Sequence, residues 1–269
     1  MKTITSQPTL APSITKAASK QTYYTIRFLV DRERVVDAYR AYAYFRWVDD
    51  TLDAGDFALP KSIGTTLALP ATASVVSGVE ASERIAFLGR QKSLLEECYR
   101  GESPQDATIE ENMLIELVQH DDEKNSGLQF YLRNMMQVMD FDAKRRGRLI
   151  SQAELNEYTR WLAVAVTETM HYFIGHSSSS PHNETRYLAV AGAHITHMLR
   201  DTFADVQAGY YNIPRDVLEA AHIQPQDIQS NAYRAWVQSR VQLARKYFNA
   251  GRSYLSQIEE PRCRLAVFA

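Results

Sequence analysis

Two pairs of aspartates constrain this chain more than any other feature. Asp49 and Asp53 stand in the stretch Trp47-Val48-Asp49-Asp50-Thr51-Leu52-Asp53, and Asp201 and Asp205 in Leu199-Arg200-Asp201-Thr202-Phe203-Ala204-Asp205. Each pair sits in a segment that otherwise reads as helix. At 3.6 residues per turn, positions i and i+4 share a face, so each pair aims two carboxylates the same way. Like charges at that spacing weaken a helix by a few tenths of a kcal/mol. A single D-x-x-x-D is most simply a solvated acidic patch. Here, however, aromatic and aliphatic neighbours surround both pairs. That context points to carboxylates facing a cavity, where cations must neutralise them.

The rest of the chain reads as helix too. Only 11 Gly and 9 Pro occur in 269 residues, and Ala, Leu, Arg, Gln and Glu abound, which favours helix over sheet. From Thr22 to Leu52 there is no Gly or Pro, and Val35, Ala38, Tyr39, Tyr42, Phe45 and Val48 follow helical spacing. Further helices are expected over Glu83–Arg100, Thr108–His120, Leu128–Phe141, Glu184–Ala208 and Ala232–Ile258. Ser151-Gln152-Ala153-Glu154 has the form of a capping box and should start a helix that runs to about Gly175. No segment reads as a strand ladder, so the fold class is all-α.

Between these helices lie stretches of other character. Residues 1–20 hold Lys2, Lys16 and Lys20, many Ser and Thr and no acid; 1–19 are expected to be a disordered tail ahead of one domain over 20–269. The Pro-, Gly- and Ser-bearing stretch about 54–82 is expected to be a long loop. His120-Asp121-Asp122-Glu123 suggests a solvated turn, and Lys144-Arg145-Arg146-Gly147-Arg148 suggests solvated surface. The final Arg264–Ala269 segment resembles a helix cut short, as in a truncated chain.

Bulk properties exclude some partners. A net charge of -2 and a pI near 6.4 give no sign of a nucleic-acid surface. No apolar run is long enough to span a membrane. Cys98 and Cys263 lack metal spacing, so a reducing, cytoplasmic setting is expected.

Two facing carboxylate pairs suit Mg²⁺, a hard cation often held by a few carboxylates together with substrate phosphates. Arg46 precedes the first pair and Arg200 lies within the second; either can form an ordinary ion pair or grip a diphosphate bidentately. A polar mouth above a greasy helical pocket fits a prenyl diphosphate.

The chain at this point resembles the squalene/phytoene synthases. Arg46-x-x-Asp49-Asp50-x-x-Asp53 looks like that family's first aspartate-rich motif, and Leu199-Arg200-Asp201-x-x-x-Asp205 followed by Ile213-Pro214 looks like its second. Met139-Asp140 and Glu154-Leu155-x-x-Tyr158 stand where the family has intervening signatures. The resemblance spans about Lys20 to Ala269.

The resemblance implies an isoprenoid-synthase helical bundle around a central cavity. It implies head-to-head joining of two C15 or C20 prenyl diphosphates (farnesyl or geranylgeranyl) through a cyclopropyl diphosphate. It makes Asp49, Asp53, Asp201 and Asp205 ligands of Mg²⁺, with Mn²⁺ as a substitute. Arg46 and Arg200 become diphosphate contacts, Tyr23 and Tyr158 neighbours of the reacting ends, and Lys20 and Thr22 phosphate contacts. Tyr211 lies nearest the family's tyrosine before Leu-Pro, a position that Asn212 holds here. His197 replaces a family Asn; it shares a face with Asp201 and Asp205 and can be counted as a metal ligand, although imidazole suits Mg²⁺ poorly and packing is the better role. A Zn²⁺ set of His194, His197 and Asp201 is a weaker alternative. Val164 and Thr167 replace glycines that line the family's cavity. Whether NADPH takes part is open, as are the oligomeric state and a peripheral membrane contact through which a greasy product would leave. The alternatives are an enzyme that ionises or cyclises one prenyl diphosphate, and a non-catalytic assembly or lipid-binding protein.

Overall fold

Helices account for all the regular structure among the described residues. The computed structural model describes residues 9–54, 73–102, 104–176, 178 and 180–268, and no strand occurs among them. The helices are α1 (Leu10–Ala18), α2 (Lys20–Leu29), α3 (Val35–Ala54), α4 (Ala73–Tyr99), α5 (Ile109–Gln119), α6 (Gly127–Arg145), α7 (Gln152–Phe173), α8 (Leu188–Ala208), α9 (Arg215–Ala221), α10 (Asn231–Leu255) and α11 (Pro261–Phe268). Short 3₁₀ turns at Arg32–Arg34 and Glu184–Tyr187 lead into α3 and α8.

Local chemistry explains several starts and stops. The Ser151 box forms as expected: Glu154 N–H donates to Ser151 Oγ at 3.2 Å, and Ser151 N–H donates to Glu154 Oε2 at 2.7 Å. Helix α8 ends on Gly209, whose φ of 86 lies in the left-handed region, so the chain reverses directly after the second aspartate pair.

Three expectations need correction. Residues 10–18 of the supposed tail are helix α1; Ala11 and Thr15 are buried, and α1 packs along α3. Its apolar positions are too few to stand out from the Ser, Thr and Lys around them, but they suffice once α3 supplies a surface. Helix α4 already begins at Ala73, inside the stretch read as loop; 55–72 lie outside the described residues. In the basic run, Arg145 is buried, because α6 continues to it and turns it toward acidic partners on its inner face. In the turn after α5, Asp122 and Glu123 are exposed, while Asp121 is half-hidden and accepts hydrogen bonds from Ser126 and Tyr99.

Packing divides the interior in two. One core gathers Tyr44, Leu88, Leu114, Leu128 and Leu132 with Tyr158 of α7. The other gathers Ile150, Leu155, Ile195, Ile213 and Trp236 around α8 and α10. Helix α6 lies along α7, and α8 packs on both α7 and α10. The approach of α8 to α10 is close: a Cβ on Gly251 would come within 2.7 Å of Ala189 Cβ. At the other end, Gly147 N–H donates to Gly209 C=O at 2.8 Å, tying the end of α6 to the end of α8. The space left between the two cores is the candidate site.

Candidate functional site

A cavity of about 260 Å³ opens where the two cores meet, lined by residues from α3, α4, α6, α7 and α8. Helix α3 presents Asp49 and Asp53 one turn apart, with Leu52 between them against the core. Helix α8 presents Asp201 and Asp205 in the same way, with His194, His197 and Met198 on the preceding turns. The two pairs, distant in sequence, thus share one cavity.

A fifth carboxylate lines the same cavity. Asp142 of α6 accepts hydrogen bonds from Tyr158 Oη at 2.9 Å and from Arg145 Nε at 2.6 Å. Arg145 Nη1 donates to Asn212 Oδ1 at 2.8 Å, and Asn212 Nδ2 donates to Asp205 Oδ2 at 2.8 Å. A continuous chain therefore runs Tyr158–Asp142–Arg145–Asn212–Asp205 across the cavity floor. The Arg145 guanidinium also lies 4.9 Å from the Tyr158 ring centre and 5.1 Å from that of Tyr210. Asp142 and Arg145 escaped the sequence reading, which stopped at Met139-Asp140. Asp142 lies one helical turn past Met139 and shares its face, which was the available signal. Asp140 instead turns outward to Lys144 and Lys92.

Crowded carboxylates titrate abnormally. Burial, and then the Asp53 charge, push Asp49 up to about 6 against the opposing pull of Arg46. Burial raises Asp142 and Asp205 as well, with Arg145 opposing in both. Asp201 moves the other way, because the Arg200 guanidinium donates to it at 2.7 Å. His194 is held down to about 4 by burial and then by the positive Arg145; its ring meets Tyr158 edge-on, 5.2 Å between centres.

The other residues that the sequence singled out fall into two groups. His197 does line the cavity, on the face of Asp201. Arg46 pairs with Asp50 and, at 3.2 Å, with Asp49, and Arg200 pairs with Asp201; neither lines the cavity. Lys20, Thr22 and Tyr23 lie on α2, which packs on α1, α3 and α11, and they do not reach the cavity. Tyr23 instead accepts a hydrogen bond at its carbonyl from Tyr39 Oη at 3.1 Å. Tyr210, rather than Tyr211, faces the cavity. Val164 and Thr167 are buried and are not part of its wall. Met139 of α6 also lines the cavity, while Phe130 on the same helix is exposed.

The donor set fits Mg²⁺. Five aspartates with hard carboxylate oxygens line the one cavity, and burial disfavours the unneutralised charge of Asp49 and Asp205. Among the described residues, no three His, Cys, Asp or Glu side chains form a ready cage for a metal ion.

Comparison with known proteins agrees with this geometry. No individually curated protein matches the chain. The squalene/phytoene synthase family profile matches residues 15–269, which takes in both aspartate pairs, the Asp142–Arg145 network and all the helices that carry them. Members of this family join prenyl diphosphates head to head. With the profile spanning nearly its whole length, the chain belongs to the squalene/phytoene synthase family.

Proposed function

We propose that the protein is a Mg²⁺-dependent prenyltransferase that joins two C15 or C20 prenyl diphosphates head to head, releasing pyrophosphate and forming a squalene- or phytoene-like hydrocarbon. The observation that carries this reading is the meeting of both aspartate pairs in one cavity. Asp49 and Asp53 on one side, and Asp201 and Asp205 on the other, are the residues that would hold the metal, with Mn²⁺ as a substitute. Bound there, the metal would neutralise the diphosphate and stabilise the charge that builds on it as it departs.

The chain's own residues do the rest. Asn212 holds the Asp205 carboxylate, and Arg145 holds Asn212, so the second pair is oriented before substrate arrives. Tyr158, with its hydroxyl committed to Asp142, turns its ring toward the cavity beside Met139. Those two side chains form the less polar wall, where the allylic carbon would sit as its C–O bond breaks and the electron pair leaves with pyrophosphate. Arg46 and Arg200 stand outside, steadying the first and second pairs. NADPH use, which would separate a squalene-like from a phytoene-like product, is decided by the assay below.

A second reading is favoured by one observation. The cavity volume of about 260 Å³ is small for two long prenyl chains, since pockets for drug-sized ligands run to about 300–1,000 Å³. Ionisation of a single prenyl diphosphate, followed by cyclisation or quenching, would need less room.

The reading places the enzyme in a reducing cytoplasm, consistent with the free thiols of Cys98 and Cys263. No described helix is long and apolar enough to cross a membrane. The exposed, stacked rings of Tyr24 and Phe28 would suit a peripheral contact with lipid when product leaves.

The test is to supply farnesyl or geranylgeranyl diphosphate with and without Mg²⁺, and with and without NADPH, and to follow pyrophosphate and organic products. Release that needs Mg²⁺ and disappears in Asp49→Ala and Asp201→Ala is expected. Absence of release with every chain length would overturn the proposal. A dimeric hydrocarbon distinguishes condensation from the single-substrate reading.

A further inference from the structure

The cavity contains a cation that neither aspartate motif accounts for. Arg84, near the middle of α4, lines the wall together with Asp49, Asp53 and Tyr210. It is only 9% exposed, and its Nε has no hydrogen-bond partner. Among the described residues its side chain forms no hydrogen bond or ion pair. The other guanidiniums at the site are committed: Arg145 to Asp142 and Asn212, Arg46 to Asp49 and Asp50, and Arg200 to Asp201.

A buried charge without a partner is rarely tolerated, because water is lost and nothing replaces it. Arg240 on α10 is also buried with an unpartnered Nε, but it does not line the cavity; the other two buried arginines are paired. Arg186 is locked in a bidentate pair with Glu168, and Arg145 is paired as described. An unpaired guanidinium facing a cavity of carboxylates has a use when a multivalent anion enters with its metal. The planar fork then meets phosphate oxygens with two donors at once.

We propose that Arg84 is the guanidinium that grips the diphosphate inside the cavity, in place of Arg46 and Arg200, which hold the aspartates. The inference rests on the prenyl diphosphate reading and deepens it by naming the protein's own anion contact. It assigns α4, which bears no recognised motif, a direct part in binding. It also explains how an anion enters a site lined by five carboxylates: a cation waits on the wall that α4 supplies.

The test uses inorganic pyrophosphate with Mg²⁺ on the full chain, with binding followed by calorimetry and by the rise in melting temperature. Wild-type protein should bind. Arg84→Met should bind about 10- to 100-fold more weakly, the loss expected for a charged hydrogen-bonding partner, and Arg84→Lys should recover part of the affinity. Without ligand, Arg84→Met should melt no lower than wild type, because removing an unpaired buried charge relieves rather than creates a defect. Unchanged pyrophosphate affinity in Arg84→Met overturns the role of Arg84 and leaves the prenyl diphosphate reading intact. So does a lowered melting temperature with unchanged affinity, which marks a packing role. Wild-type protein that fails to bind pyrophosphate with Mg²⁺ overturns both.

Discussion

His171 shows how a single side chain reports the fold around it. Its Nε2 lies 3.2 Å from Tyr254 Oη and its Nδ1 lies 3.6 Å from Cys263 Sγ. Burial, and then the nearby Arg186 charge, hold its pKa down to about 4, against 6.5 for a free imidazole. The folded protein therefore keeps His171 neutral where the unfolded chain would protonate it. Between pH 6.5 and 4 the unfolded state binds more protons, so this contribution is present above pH 6.5 and is lost as pH falls. Urea unfolding at pH 7 and pH 5 should show a loss of about 1–2 kcal/mol from this group, and His171→Gln should remove that part of the slope. Equal slopes in the two proteins would contradict the assignment. Arg145 gives a second residue-scale expectation. Arg145→Ala leaves Asp142 buried beside Tyr158 without its cation, and should cost about 3 kcal/mol in unfolding free energy while abolishing turnover. The aspartate pairs were legible because i and i+4 is a local signal. Arg145 was not, because its basic neighbours Lys144, Arg146 and Arg148 are exposed and only tertiary packing sets it apart.

At the scale of elements, the fit of α8 against α10 is the tightest constraint near the site. Gly251→Ala should gain about 1 kcal/mol from helix propensity. Against that, the new Cβ would meet Ala189 at 2.7 to 2.9 Å, on backbone as well as side chain. Separating the helices costs about 1–3 kcal/mol, so the variant should melt several degrees below wild type. Since α8 carries Asp201 and Asp205, activity should fall with it. An unchanged melting temperature would show that the two helices adjust freely. The Ser151 box was visible in four consecutive residues, and the long helices in their periodicity. The N-terminal boundary of α4 and the helix α1 were not visible, for a shared reason: short or polar helices owe their stability to the surface that receives them.

For the whole molecule, the cavity exists because two separate cores face each other, and α1 belongs to the first. Removing residues 1–18 should expose the α3 surface that α1 covers, including the neighbourhood of Ala11 and Thr15. Such a protein should unfold at lower urea and release pyrophosphate more slowly, since α3 also bears Asp49 and Asp53; wild-type behaviour would return residues 10–18 to the status of a dispensable tail. The meeting of the two aspartate pairs could be anticipated from their match in pattern. The position of the meeting between two cores, and the polar floor joining α6 to α8, could not, because they depend on how α6, α7 and α8 pack.

The link from Arg145 through Asn212 to Asp205 has a consequence for how this chain can change. Asn212 stands after the Gly209 reversal, off the helix that bears Asp205, yet it fixes that carboxylate at 2.8 Å. The two partners are therefore coupled: position 212 must offer an acceptor to Arg145 and a donor to Asp205, so loss of either residue changes what the other contributes. A double-mutant cycle of Arg145→Met and Asn212→Leu should show a coupling of about 0.5–3 kcal/mol, with the double variant losing less than the sum of its parts.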